Sequence, residues 1–446
     1  MARRFKGLKL TPPRVFAAGF ALIIAIGTLL LSLPAAAESG QHTPFIDALF
    51  TATSATCVTG LVIVDTGTYF TTFGQLVILG LIQLGGLGFM TTVTWFAVAL
   101  RKRISLRDRI MLKESLNLSG IEGVVRLILR VLLYSALIES VAALYFMYRW
   151  SYEMPLPQAA YYGVFHAISI FNNAGFELLG GYRNLTPYVN DWGINVVSML
   201  LILLGSIGFI VLAELVDYRR TRRLSLHSKV VLSATAALTL VGALLIFIFE
   251  FTNTRTLGPL DLDSKLLASL FQSISLRSAG VNTVDITQLR SATMFLMIIM
   301  MFIGAAPSST GGGIKLTTFV ILVGALLAMI RGKEDVVLFR HRIAKSDIYK
   351  ATTFCFIGLF CVVASTMALS AVQQQDFLII LFEAVSAFGT VGLSGGLTTE
   401  LGTGGKVIII LMMFIGRVGI VTLAYALQPN PKKEPFRYPE GKLTIG

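Results

Sequence analysis

The chain has 446 residues, of which 55% are hydrophobic and 14% charged, and its mean hydropathy is +0.76. This composition excludes an ordinary soluble globular protein and predicts a membrane protein. The net charge of +13 does not indicate nucleic-acid binding, because 25 of the 37 Lys and Arg residues lie in five segments that separate apolar spans. Membrane orientation explains such a distribution.

Eight apolar stretches are long enough to cross a hydrocarbon layer about 30 Å thick. In chain order they are 15–33, 76–100, 127–148, 196–216, 230–251, 294–330, 351–372 and 407–427. The five basic segments alternate with pairs of these stretches, so the positive-inside rule predicts a multi-pass cell-membrane protein with both termini in the cytoplasm. The first stretch also resembles a signal peptide, but its 19 residues are long for one and favour a first span.

Between the two spans of each pair lies a shorter apolar run that begins at Phe, passes through Ser and ends in a small-residue turn with Gly. The four copies recur about every 110 residues and occupy 50–60, 165–175, 271–280 and 382–392. A run of about ten residues cannot cross the membrane, so each is predicted to enter, stop and return. Irregular backbone at that depth must be buried or line water, and four equivalent copies most economically surround one axis.

The second span of each unit carries a matching pair of glycines, whose first member lies 25, 30, 24 and 24 residues after Gly60, Gly175, Gly280 and Gly392. The predicted fold is therefore an all-α membrane protein of four M1-P-M2 repeats, with eight transmembrane helices and four re-entrant pore helices around one central pore. Its predicted parts are a cytoplasmic N-terminus (1–14), repeats at 15–100, 101–216, 217–330 and 331–427, and a cytoplasmic tail (428–446).

The turns of the four runs are the predicted selectivity filter. A cation entering a narrow pore must exchange its water for fixed oxygens, and backbone carbonyls from converging loops can supply them. Glycine suits the turning point because it reaches positive φ and allows close approach to the axis. The filter is predicted at Thr56, Cys57, Val58, Thr59, Gly60, Asn172, Asn173, Ala174, Gly175, Arg277, Ser278, Ala279, Gly280, Gly389, Thr390, Val391 and Gly392, with the transported ion at their carbonyls. The alternative is that these glycines serve helix packing or turns.

The span 294–330 is interrupted near its middle by a segment of Pro, hydroxyl residues and three glycines, which cannot continue as a stable helix and is predicted to be a gate below the filter. The predicted gate contains Gly304, Ala305, Ala306, Pro307, Ser308, Ser309, Thr310, Gly311, Gly312, Gly313, Lys315 and Arg417. Arg417 lies in an otherwise uncharged span, where it costs roughly 2.5–3.5 kcal/mol and needs a polar partner. It is predicted to bond the loop's carbonyls or to repel a cation. A purely structural helix break and a snorkelling arginine are the alternatives.

With Thr-Cys-Val-Thr-Gly-Leu, Asn-Asn-Ala-Gly-Phe, Arg-Ser-Ala-Gly-Val-Asn-Thr and Gly-Thr-Val-Gly-Leu-Ser as its four loops, the chain resembles the Trk/Ktr/HKT superfamily of potassium transporters. It is most similar to the shorter Ktr-type membrane subunit. The resemblance implies K⁺ as the transported ion, a homodimer, and a separate KtrA-type cytoplasmic nucleotide-binding regulatory ring. It implies gating roles for the loop and Arg417. Na⁺ is a candidate activator, and no nucleotide site is expected in this chain.

Other polar residues carry weaker predictions. Glu139, Glu214, Arg277 and Glu383 lie in or beside apolar segments and are expected to form structural hydrogen bonds or ion pairs. Asp65 and Asp285, each five residues after a filter glycine, are candidates for concentrating cations at the pore mouth.

Two alternatives remain open. A sodium-conducting or mixed transporter would use the same loops, because the amino-acid identities alone do not determine the geometry of a carbonyl site. A membrane enzyme is disfavoured, because the sequence contains no H-E-x-x-H, G-x-S-x-G or phosphate-loop motif.

Overall fold

The computed structural model describes residues 12–88 and 124–419, and helices and strands are numbered here in order through those ranges. Four helices in them are long and apolar enough to cross a membrane. They are α1 (Pro12–Leu31), α5 (Val124–Trp150), α9 (Leu226–Glu250) and α13 (Lys345–Val372). Each confirms one predicted span. Stripes of exposed aliphatic side chains, such as Leu240, Leu244 and Ile248 on α9, give these helices an apolar outer face.

A shorter helix follows each long one and packs against it. These helices are α2 (Phe45–Thr56), α6 (Leu156–Phe171), α10 (Leu262–Ser275) and α14 (Phe377–Gly389). With 12–16 residues they span only about 18–24 Å, less than the hydrocarbon thickness. The phenylalanines that begin the four repeated runs, Phe50, Phe165, Phe271 and Phe382, are all fully buried.

A third set of helices completes the pattern: α4 (Thr72–Leu87), α7 (Trp192–Ser206), α11 (Ser291–Phe302) and α15 (Thr403–Val418). Each packs against the short helix of the following unit: α4 on α6, α7 on α10, α11 on α14, and α15 back on α2. The chain therefore closes on itself, with its last helix of this set against its first short helix.

The third set corrects the sequence analysis, which treated the spans 76–100, 196–216 and 407–427 as uninterrupted. The helices α4, α7 and α15 end just before Gly88, Gly208 and Gly419, whose φ angles are 86°, 91° and 85°. After Gly208 the chain continues as α8 (Phe209–Thr221) at 104° to α7, so the prediction of one straight helix there was wrong. Residues 89–100 and 420–427 of the other two spans lie outside the described residues.

The predicted interruption of span 294–330 is confirmed. Helix α11 ends at Phe302 and α12 (Leu316–Ile330) begins 14 residues later. The ends of the intervening segment are close together, because the Gly304 N–H donates to the Ile314 carbonyl at 2.8 Å. The segment therefore leaves the helical path as a loop and returns to almost the same level.

The remaining described elements are small. They are α3 (Thr66–Tyr69), four 3₁₀ turns and an antiparallel hairpin of β1 (Val337–Leu338) and β2 (His341–Arg342). The turns span Pro34–Ala36, Thr186–Tyr188, Ile286–Gln288 and Thr398–Glu400. The hairpin lies in the basic segment 331–347, which the sequence analysis assigned to the cytoplasm.

Candidate functional site

The four predicted filter loops begin where the short helices end. A helix C-terminus carries unpaired carbonyls and a partial negative charge equivalent to about half an elementary charge. Helices α2, α6, α10 and α14 all direct this end toward the loops, whose residues are almost completely buried. The arrangement favours a cation over an anion at the loops without any acidic side chain.

All four loops share one backbone shape. The glycine of each run has positive φ, at 87°, 71°, 68° and 91° in chain order. The residue two positions earlier is also in the left-handed region in every loop, although none of these residues is glycine. They are Val58, Asn173, Ser278 and Thr390, with φ between 47° and 68°. Such conformations are uncommon for non-glycine residues, so the loops are held in one repeated geometry by their surroundings.

The four glycines contact one another's loops in cyclic order. A methyl group on Gly60 would collide with the carbonyl of Ala174, and one on Gly175 would lie 3.0 Å from that of Ala279. On Gly280 it would meet the Val391 carbonyl at 2.5 Å. On Gly392 it would collide with the carbonyl of Thr59 in the first loop, so the contacts form a closed cycle. The four loops are therefore neighbours around one closed ring.

A serine four residues after the leading phenylalanine holds the loop in all four runs. Ser54 and Ser386 accept hydrogen bonds from the N–H groups of Gly60 and Gly392, both at 3.1 Å. The other two hydroxyls donate instead to the carbonyl that follows the glycine: Ser169 to Phe176 at 2.7 Å, and Ser275 to Val281. The sequence analysis noted these serines only as part of the repeat and did not assign them this role.

The glycine pairs of the third helix set lie under the loops. Methyl groups on Gly85, Gly205 and Gly416 would each collide with the carbonyl at the end of a short helix, that of Thr56, Phe171 and Phe388 respectively. Glycine is thus required for the close approach of α4, α7 and α15 to the ring. The fourth member, Gly304, instead faces the Gly312 carbonyl of the interrupted segment.

The buried charged residues behind the loops are hydrogen bonded, as the sequence analysis expected. Glu139 accepts from Gln83 at 3.1 Å and from Asn172 at 3.1 Å, which connects a filter residue to α4 and α5. Arg277 donates to the Thr235 carbonyl at 2.8 Å. The remaining two expected residues bond locally: Glu383 accepts from Ser394 at 2.9 Å, and Glu214 accepts from Ser225 and Ser228.

The loop of residues 304–313 lies against the ring and is fixed at several points. The N–H groups of Ala306 and Thr310 donate to the carbonyls of Ser206 and Gly205 on α7, at 3.0 and 3.2 Å. The Phe209 N–H donates to the Ser308 carbonyl at 2.8 Å. The break between α7 and α8 is thus occupied by this loop, which explains why Gly208 interrupts an otherwise apolar span.

Arg417 has polar partners, as the sequence analysis expected for a charged residue within a span. Its guanidinium donates to the Thr310 carbonyl of the loop and to the carbonyls of Gly85 and Gly86, the last at 3.2 Å. It therefore connects the loop to the end of α4. Lys315 donates to the Gly311 carbonyl at 2.8 Å, so two cationic side chains bond the loop's backbone.

Acidic side chains lie near the outer ends of the loops. Asp65 caps α3 by accepting from Gly67 and Thr68, and its second oxygen accepts from the Tyr182 N–H at 3.1 Å. Asp285 caps a 3₁₀ turn. Glu177, two residues after Gly175, was missed by the sequence analysis. Burial, and then the charge of Asp65, raise the pKa of Glu177 to about 7.

The structure brings the four predicted filter segments together, and it places the predicted gate loop and Arg417 in direct contact. It does not bring Asp65 and Asp285 to the ring as free carboxylates, since both cap turns. The supporting serines and Glu177 are additions. The serines recur at the same position of each run in the sequence. Glu177 has no equivalent in the other runs, so repetition could not identify it.

Comparisons with known proteins identify the family to which the chain belongs. A model of the TrkH family, described as cation transport protein, matches residues 11–434. The chain is 45% identical over 441 residues to the Ktr system potassium uptake protein B of Bacillus subtilis, covering 99% of this chain and 98% of that protein. It is 40% identical over 445 residues to the potassium/sodium uptake protein NtpJ of Enterococcus hirae, covering 98% of both.

Among solved structures, the potassium transporter TrkH from Vibrio parahaemolyticus matches with a TM-score of 0.75, over 96% of this chain and 87% of that one. At 16% sequence identity this match shows a shared fold. The family model and the two sequence relatives each cover nearly the whole chain, so the chain belongs to the TrkH family of cation transport proteins.

Proposed function

We propose that this chain takes up potassium across the cytoplasmic membrane through one pore formed by four M1-P-M2 repeats. Backbone carbonyls of the four loops replace the water of the ion, and the loop of residues 304–313, held by Arg417, gates the pore below them. The observation that carries this proposal is the cyclic set of contacts among Gly60, Gly175, Gly280 and Gly392. Four helix C-termini directed at the same ring add a favourable potential for a cation.

The choice of potassium rests on the relatives and on the loops. Two relatives are named as potassium uptake proteins of Ktr systems, from Bacillus subtilis and Vibrio alginolyticus, at 45% and 37% identity. Glycine at all four turning points leaves the backbone oxygens as the ligands, without a hydroxyl that would enter the ring. In this proposal the membrane subunit forms a homodimer, keeps both termini in the cytoplasm and acts with a separate KtrA-type regulatory ring.

A second candidate function is transport of both sodium and potassium. It is favoured by the name of the Enterococcus hirae relative, a potassium/sodium uptake protein at 40% identity. Backbone carbonyls can coordinate either ion, and discrimination between them depends on cavity size and on the field of the carbonyls.

The proposal is tested by ion flux into lipid vesicles that contain only this chain. We expect uptake of ⁸⁶Rb⁺ that excess K⁺ suppresses and equal Na⁺ does not, together with K⁺-dependent growth of uptake-deficient cells that express the chain. Equal suppression by Na⁺ would favour the mixed transporter. Vesicles with correctly folded protein and no cation flux would overturn the proposal, and co-purification with candidate regulatory subunits tests the partner.

A further inference from the structure

The base of the ring is formed by the four residues in the left-handed region, Val58, Asn173, Ser278 and Thr390. They occupy the same position in each run, two residues before the glycine, and all are fully buried. Three of them are polar and one is apolar. The three polar side chains all hydrogen bond to the gate loop, whereas Val58 has no group that could do so.

Two of these contacts converge on one amide of the loop. The Gly312 N–H points between the hydroxyl of Ser278, at 3.1 Å, and that of Thr390, at 3.0 Å. The two hydroxyl oxygens are 2.9 Å apart, and Ser278 also donates to the Thr390 carbonyl at 2.7 Å. Since the amide can only donate, both hydroxyl oxygens accept from it. The Ser278 hydrogen then points to the Thr390 carbonyl, and the Thr390 hydrogen is free to point to the Ser278 oxygen.

The third contact is made by Thr310, two residues before Gly312 in the loop. The Asn173 side-chain amide donates to the Thr310 hydroxyl at 3.0 Å, and that hydroxyl donates to the Gly205 carbonyl at 3.1 Å. Arg417 holds the carbonyl of the same residue. Thr310 is therefore attached at once to the filter, to α7 and to Arg417.

The loop's glycines make this approach possible. A methyl group on Gly311 would lie 2.8 Å from Cβ of Ser278, and one on Gly312 would collide with the Thr390 side chain. Without side chains at these two positions, the loop backbone can reach the hydroxyls of the ring directly. Close packing and directed hydrogen bonds thus coincide at the same residues.

We infer that Asn173, Ser278 and Thr390 form a latch that holds the gate loop closed against the filter, so that residues shaping the ion path also set how often the gate opens. This inference rests on the proposed pore and gate. In the closed loop the Gly312 N–H is buried with these hydroxyls as acceptors, and movement of the loop away from the ring must break all three contacts. Loss of a latch hydroxyl therefore favours the open gate.

The sharpest test is Thr390→Val, which removes one hydroxyl and keeps the shape of the side chain. The first run already carries valine at this position with φ 56°, so the fold tolerates a β-branched apolar residue there. We expect K⁺ flux in vesicles to rise roughly two- to tenfold, the change that loss of one net hydrogen bond produces in an equilibrium.

Thr366→Val is the matched control. It makes the same chemical change at a buried threonine of α13 whose hydroxyl donates to the Val362 carbonyl of its own helix at 2.8 Å, and its flux should equal that of the unchanged protein. Ser278→Ala repeats the test at the second acceptor if Thr390→Val fails to fold. The double variant leaves the Gly312 N–H without either hydroxyl and should raise flux further.

The decisive comparison repeats Thr390→Val in a protein that lacks residues 305–313. The latch predicts no additional increase there, because the loop that it holds is gone. An equal increase in both backgrounds would place the effect in the filter and overturn the latch, as would unchanged flux in the full-length variants. If deletion of the loop alone leaves flux unchanged, the proposed gate fails, and the latch fails with it. This outcome is distinguished from failure of the latch alone because it is seen in the deletion variant with Thr390 unchanged.

Discussion

The ring of filter loops and the layer directly beneath it differ in symmetry. In the ring, each of the four loops has the same pair of left-handed residues, a supporting serine and a glycine against the next loop's carbonyl. Beneath it, within the residues that the structure describes, the third unit contributes a loop and the fourth contributes an arginine. The four residues at the boundary between the layers have the same conformation but different chemistry.

In the proposed pore, this difference corresponds to two tasks, ion coordination in the ring and gating in the layer beneath it. An ion on a shared axis is coordinated best by equivalent oxygens from every side, so the ring conserves the same geometry in all four copies. A gate has to exist in two positions, and a single movable element is sufficient for that. If the tasks are divided in this way, changes in the symmetric ring should alter ion selection and changes in the gate loop should alter the rate of flux.

Replacing a ring glycine should have the largest effect, and the effect should follow the available space. A methyl group overlaps the neighbouring carbonyl outright at Gly392 and Gly60, lies at 2.5 Å at Gly280 and at 3.0 Å at Gly175. We expect Gly392→Ala and Gly60→Ala to abolish selective K⁺ flux, and Gly175→Ala to retain the most. Positive φ at all four adds a common penalty of about 1 kcal/mol for any side chain.

The measurement is K⁺ and Na⁺ flux in vesicles for the four single variants at equal protein content. Gly80→Ala on α4 is the control, because a methyl group there meets nothing within 4 Å. Four variants with indistinguishable flux and ion preference would contradict the ring.

Releasing the loop should raise cation flux, whereas replacing a ring glycine should lower it. Deletion of 305–313 removes the proposed obstruction, and Arg417→Ala removes the bonds to Thr310, Gly85 and Gly86. Because a hydrogen bond to a charged group contributes about 1.5–3 kcal/mol, we expect a rise in flux of roughly tenfold or more for Arg417→Ala.

Arg417→Lys separates the two ways in which the arginine could act. Lysine keeps the positive charge but cannot bridge the same carbonyls with a planar fork. Flux near that of the unchanged protein would indicate electrostatic repulsion of the ion, and flux near that of Arg417→Ala would indicate that the bonds to the loop matter. Unchanged flux in the alanine variant and in the deletion, with normal folding, would remove the gate from the account.

Removing a supporting serine should have an intermediate effect. Ser386→Ala leaves the Gly392 N–H without its 3.1 Å acceptor, and loss of one hydrogen bond of about 1 kcal/mol loosens the loop without filling the pore. We expect the K⁺ to Na⁺ flux ratio to fall severalfold while total flux remains. Ser54→Ala should behave alike, because Ser54 bonds Gly60 in the same way. A fall at one position alone would show that the loops are not equivalent.

The smallest expected effect concerns pH at the outer entrance. The raised pKa of Glu177, about 7, means that the carboxyl is mostly ionised above pH 7 and mostly protonated below it. At a separation of about 8 Å in water, one unit charge changes the energy of a cation by about 0.5 kcal/mol. We therefore expect the KM for K⁺ to rise about twofold between pH 8 and pH 6 at low ionic strength.

Glu177→Gln should keep the higher KM at every pH between 6 and 8, and high salt should abolish the difference between variant and unchanged protein. An unaltered pH profile in Glu177→Gln would show that another group titrates at the entrance.

The repeated runs could be recognised in the sequence because repetition multiplies a weak signal. One Phe to Gly run would have been ambiguous, but four in register identified the short helices, the loops and the glycines of the ring. The interruption at 303–315 was also predictable, since Pro and three glycines cannot remain helical. The polar partner of Arg417 on the loop was expected from the cost of an isolated charge in a span.

The ends of α4 and α15 before Gly88 and Gly419, and the bend between α7 and α8 at Gly208, could not be predicted, because glycine within an apolar span is also common in unbroken transmembrane helices. The positive φ of Gly208 accompanies contacts of the α7–α8 turn with Pro307 and Ser308, about 100 residues away in the chain. The contacts of Ser278 and Thr390 with Gly312 are equally long-range. Such contacts depend on how separate units pack, which local pattern and composition do not contain.

The most direct test of the central claim is anomalous diffraction from crystals of the protein grown with Tl⁺ in place of K⁺. The account predicts anomalous density on the axis enclosed by Gly60, Gly175, Gly280 and Gly392, coordinated by main-chain oxygens of all four loops and displaced by excess K⁺. Density that is absent from this axis, or that is held by side chains of one or two loops, would contradict it.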